Sequence, residues 1–75
     1  MIGINITSKS IGHKIYDKNK RLLGEIKEII ISLRGSYLEI ENEKTTKKYL
    51  LNVNHIRSCG DYGYDADIDI RTIGK

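Results

Sequence analysis

The segment from Arg21 to Leu33, RLLGEIKEIIISL, constrains the fold of this chain more than any other stretch. Its apolar residues fit the spacing of an amphipathic helix, but Gly24 stands near its start and three consecutive isoleucines, Ile29 to Ile31, stand near its end. Glycine and β-branched residues are poor helix formers, whereas isoleucine packs well on a pleated sheet. Neighbouring segments such as YLEIE alternate at period two, so we predict a strand.

This strand needs one irregularity. Alternation puts Leu22, Gly24 and Ile26 of the first half on one face. It puts Ile29, Ile31 and Leu33 of the second half on the other. One extra residue near Lys27-Glu28 corrects the phase, and such an insertion is a β-bulge. A bulge bends a long strand, so that a small sheet can curl into a barrel.

The composition favours the same fold class. The chain has fourteen isoleucines against one valine and one alanine, with no Phe, Trp or Pro, and seven glycines suited to turns. A chain of 75 residues is one domain. We predict an all-β fold, a small, partly open antiparallel barrel of five to six strands, with residues 1–10 as an N-terminal strand or arm.

Two motifs resemble the PRC-barrel domain family. The stretch IGHKIYDKNKRLLGEIKEIIIS is similar to the start of that domain, and YLLNVNHIRSCGD is similar to its later strand and Gly-Asp turn, so residues 11–61 carry the resemblance. The matching positions are Gly12, Ile15, Asp17, Asn19, Leu23, Gly24, Ile26, Glu28, Ile29, Ile31, Ile56, Gly60 and Asp61.

The chain departs from the family pattern at two positions. The family often has glycine where Lys20 stands and proline near Asn52. Because lysine stands where the family often has glycine, we predict that Asn19, and not residue 20, takes any left-handed conformation in the hairpin turn. The resemblance implies a binding module, because PRC-barrel domains occur in photosynthetic reaction-centre H subunits, in ribosome-maturation factors of the RimM type and as short archaeal proteins. Some of those archaeal proteins are similar to cell-division adaptors.

Several function classes have no support in the residues. The single cysteine, Cys59, excludes an internal disulfide, and we expect a buried or half-buried thiol. His13 and His55 lack a neighbouring nucleophile, so we predict no enzyme and no cofactor. No apolar run reaches the roughly 20 residues of a membrane span, and the first ten residues do not read as a signal peptide. We expect a cytoplasmic protein.

The acidic stretch DADID raises a metal hypothesis. Asp65, Asp67 and Asp69 match the first, third and fifth positions of a calcium loop. Ile70 stands where that loop needs glycine, and no glutamate follows at its twelfth position. We predict no metal site and a solvated acidic strand face, with Ala66, Ile68 and Ile70 on the other side.

Positive charge concentrates at two turns, which suggests an interface if both lie on one rim of the barrel. Tyr62 and Tyr64 could add contact area to a partner-binding surface. The candidate partner-binding residues are Lys18, Lys20, Arg21, Lys47, Lys48, Tyr62 and Tyr64.

The residues and the PRC-barrel resemblance together leave two functions open. The first is a protein-interaction adaptor, possibly of the archaeal cell-division type, that forms a homodimer through Ile2, Ile4 and Ile6. The alternative is a ribosome- or RNA-associated maturation factor that uses the basic turns. Tyr16 is the aromatic residue that adjoins a basic turn in the sequence.

Overall fold

The computed structural model describes residues 6–72, and these residues form an all-β fold. The ambiguous segment is a strand, as predicted. Three short 3-10 turns, Ser8–Ser10, Val53–His55 and Ile70–Thr72, connect or flank the strands. The strands are β1 (Lys14–Tyr16), β2 (Leu22–Ser32), β3 (Gly35–Asn42), β4 (Lys47–Asn52), β5 (Ile56–Gly60) and β6 (Gly63–Ala66).

The six strands form one curled sheet in the order β4-β3-β2-β1-β6-β5. Strands β1 to β4 follow one another as antiparallel hairpins, and β5 and β6 form another hairpin. β6 returns beside β1 and runs parallel to it. The sheet remains open, since β4 and β5 are its outer strands. The predicted small, partly open barrel is therefore confirmed, with one parallel pair that the sequence did not predict.

The predicted bulge lies in β2. Its register with β3 shifts between Ile26 and Glu28, so Lys27 is the extra residue. The phase predicted for the start of β2 was wrong by one residue, because Leu23 is fully buried whereas Leu22 is half-buried. A second irregularity, in the β1–β2 pairing beside Tyr16, accounts for this difference.

One apolar core fills the concave side of the sheet. Side chains at period two from β3 and β4 meet those of β1, β2, β5 and β6 there. Its buried members are Ile15, Leu23, Ile26, Leu38, Ile40, Tyr49, Leu51, Ile56, Tyr64 and Ala66. Ile6, Ile29, Val53, Ile68 and Ile70 pack against this core and are partly buried.

β1 is short, and β6 ends before the predicted acidic strand face is complete. β1 begins at Lys14, because Gly12 has a φ of 93° in a turn that precedes it. β6 ends at Ala66, and the chain then bends away. The proposed acidic strand face therefore does not exist, since Asp67 and Asp69 follow the strand. The predicted N-terminal strand is not formed at Ser8–Ser10, and residues 1–5 lie outside the described part of the chain.

Candidate functional site

The two basic turns lie at the same end of the sheet. The first joins β1 to β2 and the second joins β3 to β4, and the Asn42 side-chain amide donates to the Leu22 carbonyl at 3.4 Å. This contact links the first residue of β2 to the last residue of β3. The cations of both turns therefore surround one rim of the barrel.

Asp17 builds the first turn. Its side chain is fully buried, and one carboxylate oxygen accepts from the backbone N–H groups of Asn19 and Arg21, each at 2.8 Å. Aspartate closes turns in this way because its short side chain reaches backbone donors two to four residues ahead. The turn is thus fixed from its inner side, and the side chains of Lys18, Lys20 and Arg21 are left exposed.

Lys20, not Asn19, takes the left-handed conformation of this turn, so the sequence prediction was wrong. Its φ is 67°. The Lys20 ammonium lies 3.5 Å from an oxygen of Asp65 on β6, across the parallel pair of strands. This ion pair gives Lys20 a role that glycine could not fill, because it connects the turn to β6.

Two tyrosines stand beside the first basic turn. Tyr16 ends β1 directly before the turn, and Tyr62 comes from the turn between β5 and β6. Their ring centroids are 6.1 Å apart, with 53° between the ring planes. Tyr62 is 51% exposed. The structure thus adds a second aromatic ring to a surface where the sequence indicated one.

Tyr64, which the sequence proposed for partner binding, is buried instead. It belongs to the core with 8% exposure, and its hydroxyl lies 2.7 Å from the Ser10 hydroxyl. Tyr62 and Tyr64 are two residues apart on a short hairpin. The prediction did not resolve which of them faces the core.

Asp65 organises this surface and was missed as a functional residue. Its carboxylate accepts hydrogen bonds from the Tyr62 hydroxyl and, at 2.8 Å, from the Ser58 hydroxyl. The Tyr62 hydrogen bond, together with those from Ser58 and the Lys20 ammonium, holds the pKa of Asp65 below its ordinary value despite burial. The Tyr62 contact is local, since Tyr62 lies three residues before Asp65, but Lys20 approaches Asp65 only through the sheet, and no local sequence signal marks that contact.

The other two aspartates of DADID are also engaged. Burial opposes ionisation of Asp67, but hydrogen bonds from Arg57 and His55 lower its pKa overall. The Arg71 guanidinium donates hydrogen bonds to the Asp69 carboxylate, and these bonds hold the pKa of Asp69 well below its ordinary value. Residues 6–72 hold no group of three His, Cys, Asp or Glu side chains arranged for a metal ion.

Other cations of the rim carry no ion pair. Among the described residues, no carboxylate oxygen lies within 4 Å of the side-chain nitrogens of Lys18, Arg21, Lys44, Lys47 or Lys48. Lys47 registers opposite Asn42, and Lys48 opposite Glu41 on the outer face of the sheet.

Cys59 lies on β5 and is exposed, so the predicted burial of this thiol was wrong. β5 is an outer strand, and its residues after Ile56 are all exposed. His13 is exposed, and its ring contacts the edge of Tyr64. The helical segments between residues 6 and 72 are three-residue turns, and none is long and apolar enough to cross a membrane.

An apolar groove lies at the opposite end of β2 from the rim. It has a volume of about 270 Å³, and its lining includes Ile6, Ile11, Ile29 and Ile31. Ile31 is 80% exposed. Ile6 is the described member of the three residues proposed for dimer contacts, whereas Ile2 and Ile4 lie outside the described residues.

Comparison with known proteins gives a structural likeness and no sequence match. No family model and no curated protein matches the chain. A crystal structure from Pseudomonas aeruginosa, assigned as a 16S ribosomal RNA processing protein, RimM, superposes with a TM-score of 0.74 at 17% sequence identity. The likeness covers 84% of this chain and 43% of that one. The chain therefore shares the fold of somewhat less than half of the RimM protein.

Proposed function

We propose that this protein is a non-enzymatic RNA-binding module of the PRC-barrel family that associates with ribosomal or precursor RNA in the cytoplasm. The observation that most directly supports this proposal is the contact between Tyr16 and Tyr62 beside the exposed cations Lys18 and Arg21. We call these four residues the aromatic-basic surface. Its tyrosines can contact the bases of single-stranded RNA, and its cations can contact the phosphates.

The tyrosines supply stacking. Every nucleobase has a π-face, so aromatic rings bind unpaired bases with little sequence preference, at about 1–3 kcal/mol per base. The exposed ring of Tyr62 can receive a base, while Tyr16 supports it from the side of the sheet. Asp65 fixes the hydroxyl of Tyr62, which limits the side-chain entropy lost on binding.

The cations supply phosphate contacts. Lys18 and Arg21 flank the tyrosines, and Lys44 and Lys47 extend the positive rim along the second turn. Such contacts release counterions from RNA, so affinity falls steeply with salt. The net charge of +3 is modest, and we therefore expect a weak, salt-sensitive interaction that other contacts supplement.

The structural likeness to the Pseudomonas aeruginosa protein agrees with this proposal, because that protein is assigned to 16S ribosomal RNA processing. At 17% identity the likeness concerns the fold, so the function rests on the surface itself. The PRC-barrel resemblance of residues 11–61 is part of the same proposal.

The test is fluorescence anisotropy with a labelled single-stranded RNA of about 12 nucleotides, a length within the usual site size of small binding domains. We expect the affinity to fall by at least tenfold between about 50 and 200 mM salt. Tyr62→Leu should weaken binding by about 5- to 100-fold through lost stacking. Arg21→Ala should weaken it and also reduce the salt dependence by about one phosphate contact.

Arg34→Ala is the matched control, because Arg34 lies in the β2–β3 turn at the opposite end of β2. It removes the same charge and should leave the affinity within about twofold of the unmodified protein. Equal losses for Arg34→Ala and Arg21→Ala would indicate attraction to net charge alone. The absence of binding at low salt would refute the proposal.

A protein-interaction adaptor, possibly of the archaeal cell-division type, is the second candidate. The apolar groove favours it, because the partly buried Ile6 and the exposed Ile31 face a volume that the described residues leave open. The occupant we propose is a second copy of the chain, since Ile6 continues into the apolar arm predicted to mediate dimerisation. Sedimentation equilibrium should show a dimer that Ile31→Ser dissociates, and a monomer at high concentration would oppose it.

A further inference from the structure

The outer face of β2, β3 and β4 carries an apolar surface with paired negative charges. On β3, Leu38 and Ile40 point to the core, so Tyr37 and Glu39 point outward. Cross-strand partners share a face, and the register adds their neighbours. From here on, the term outer face means the five residues Glu28, Ile30, Tyr37, Glu39 and Leu50 on this side of the sheet.

Two glutamates of the outer face stand directly opposite each other. Glu28 on β2 registers with Glu39 on β3. Like charges at directly opposite positions destabilise a sheet, because their side chains lie close together. In residues 6–72 no lysine, arginine or histidine nitrogen lies within 4 Å of either carboxylate.

The nearest basic residue in sequence is already engaged elsewhere. Lys27, the bulge residue, lies 3.4 Å from both Glu25 and Glu43, and these hydrogen bonds raise its pKa. The next pair along the sheet, Glu25 and Glu41, is therefore partly compensated, with Lys48 also opposite Glu41. The Glu28–Glu39 pair has no such compensation among the described residues.

Apolar side chains surround this pair. Leu50 on β4 is the cross-strand partner of Glu39, and its side chain is 63% exposed. Ile30 on β2 is the cross-strand partner of Tyr37, and its side chain is 39% exposed. Both side chains are therefore accessible to solvent in the described part of the chain. The outer face thus combines exposed apolar area, an aromatic ring and uncompensated negative charge, which are features of a protein interface.

We propose that the outer face binds a basic, partly apolar segment of another protein, whose lysine or arginine lies between Glu28 and Glu39. Charge complementarity selects this occupant, because a cation there would relieve the repulsion between the two carboxylates. Arginine fits best, since its guanidinium can donate to two carboxylates and stack on Tyr37. Ile30 and Leu50 would bury apolar side chains of the same segment. Nucleic acid is disfavoured here by the negative charge.

Binding is tested with a synthetic extended peptide of alternating arginine and valine or threonine residues, added to the full chain. Isotope-edited NMR should show its largest shift changes at Tyr37, Glu39 and Leu50. Glu28→Gln and Glu39→Gln should each lower the affinity for the peptide by about fivefold or more, as expected for loss of one charged contact. A peptide with glutamate in place of arginine should not bind.

Stability provides an independent readout. Glu39→Gln should raise the thermal midpoint of the free protein by about 1–3 °C, because it removes the like-charge repulsion. If the outer face serves binding, Glu39→Gln should be more stable than the unmodified protein and should bind the peptide more weakly.

Asp61→Asn is the control, because Asp61 is exposed in the β5–β6 turn, outside the outer face. It should bind the peptide like the unmodified protein, and so should Arg21→Ala, which separates this proposal from the RNA proposal. The proposal is overturned if Glu28→Gln and Glu39→Gln bind normally, if Asp61→Asn loses as much affinity, or if the shift changes cluster at another surface.

Discussion

The carboxylate of Asp17 accepts a hydrogen bond from the backbone N–H of Ile70 at 3.0 Å, and so joins two parts of the chain 53 residues apart. The same carboxylate closes the β1–β2 turn. The first basic turn and the segment after β6 are therefore held by one buried side chain. A second link, from the Lys18 N–H to the Ile68 carbonyl at 2.8 Å, runs alongside it.

Asp17→Ala should destabilise the protein by about 2–4 kcal/mol, because it leaves three partly buried backbone donors without their acceptor. Chemical denaturation with a two-state fit measures this change. Asp61→Ala, which removes an exposed aspartate of the β5–β6 turn, should cost less than about 1 kcal/mol. Equal costs for both variants would argue against the central role of Asp17.

Gly63→Ala should unfold the protein or cost at least about 3 kcal/mol. A methyl group at Gly63 would overlap the backbone carbonyl of Lys14 on the neighbouring strand, and its φ of 128° is unfavourable for alanine. Backbone cannot move aside as a flexible side chain can. Thermal unfolding monitored by circular dichroism provides the measurement.

Gly12→Ala separates these two causes. Gly12 also has a positive φ, 93°, but a methyl group there would meet open space. Conformational strain alone should cost about 1–2 kcal/mol. If Gly12→Ala and Gly63→Ala were equally harmful, the close approach of β6 to β1 would not be the dominant cause.

Thr46→Gly should stabilise the protein by up to about 1 kcal/mol. Thr46 has a φ of 58° in the β3–β4 turn, a conformation that is costly for a β-branched residue. Glycine relieves that strain, although it gains more entropy on unfolding. Thr45→Gly is the matched control, since Thr45 lacks a positive φ, and it should destabilise. Urea denaturation of both variants reports the difference, and destabilisation by Thr46→Gly would contradict the strain argument.

Acid should destabilise the protein partly through Asp65. Because the folded state lowers the pKa of this carboxyl below its ordinary value, its ionised form stabilises the fold above the unfolded pKa of about 3.9. That contribution is lost as the pH falls from about 4 through the lower folded pKa. The free energy of unfolding, measured from pH 6 downward, should decline more steeply for the unmodified protein than for Asp65→Asn.

Tyr62→Phe tests the cause of that shift. It removes the hydroxyl that donates to Asp65 but keeps the ring beside Tyr16. NMR titration should show the pKa of Asp65 moving upward in this variant. An unchanged pKa would assign the shift to Ser58 and Lys20 instead.

Local pattern determined much of this fold. Alternation at period two identified β3, and the change of phase along β2 located the bulge at Lys27. Asp17, one of the positions that carry the family resemblance, closes the first turn because an aspartate side chain reaches nearby backbone donors. These features depend on residues close together in sequence, so the sequence alone was sufficient.

The tertiary structure decided the composition of the candidate site. The parallel return of β6 beside β1 brings Tyr62 to Tyr16 and Asp65 to Lys20, and it buries Tyr64 rather than Tyr62. No local periodicity encodes these contacts, because they join segments more than forty residues apart. They follow from the curvature of the sheet and from close backbone packing at Gly63, which form only when the whole sheet folds around its core.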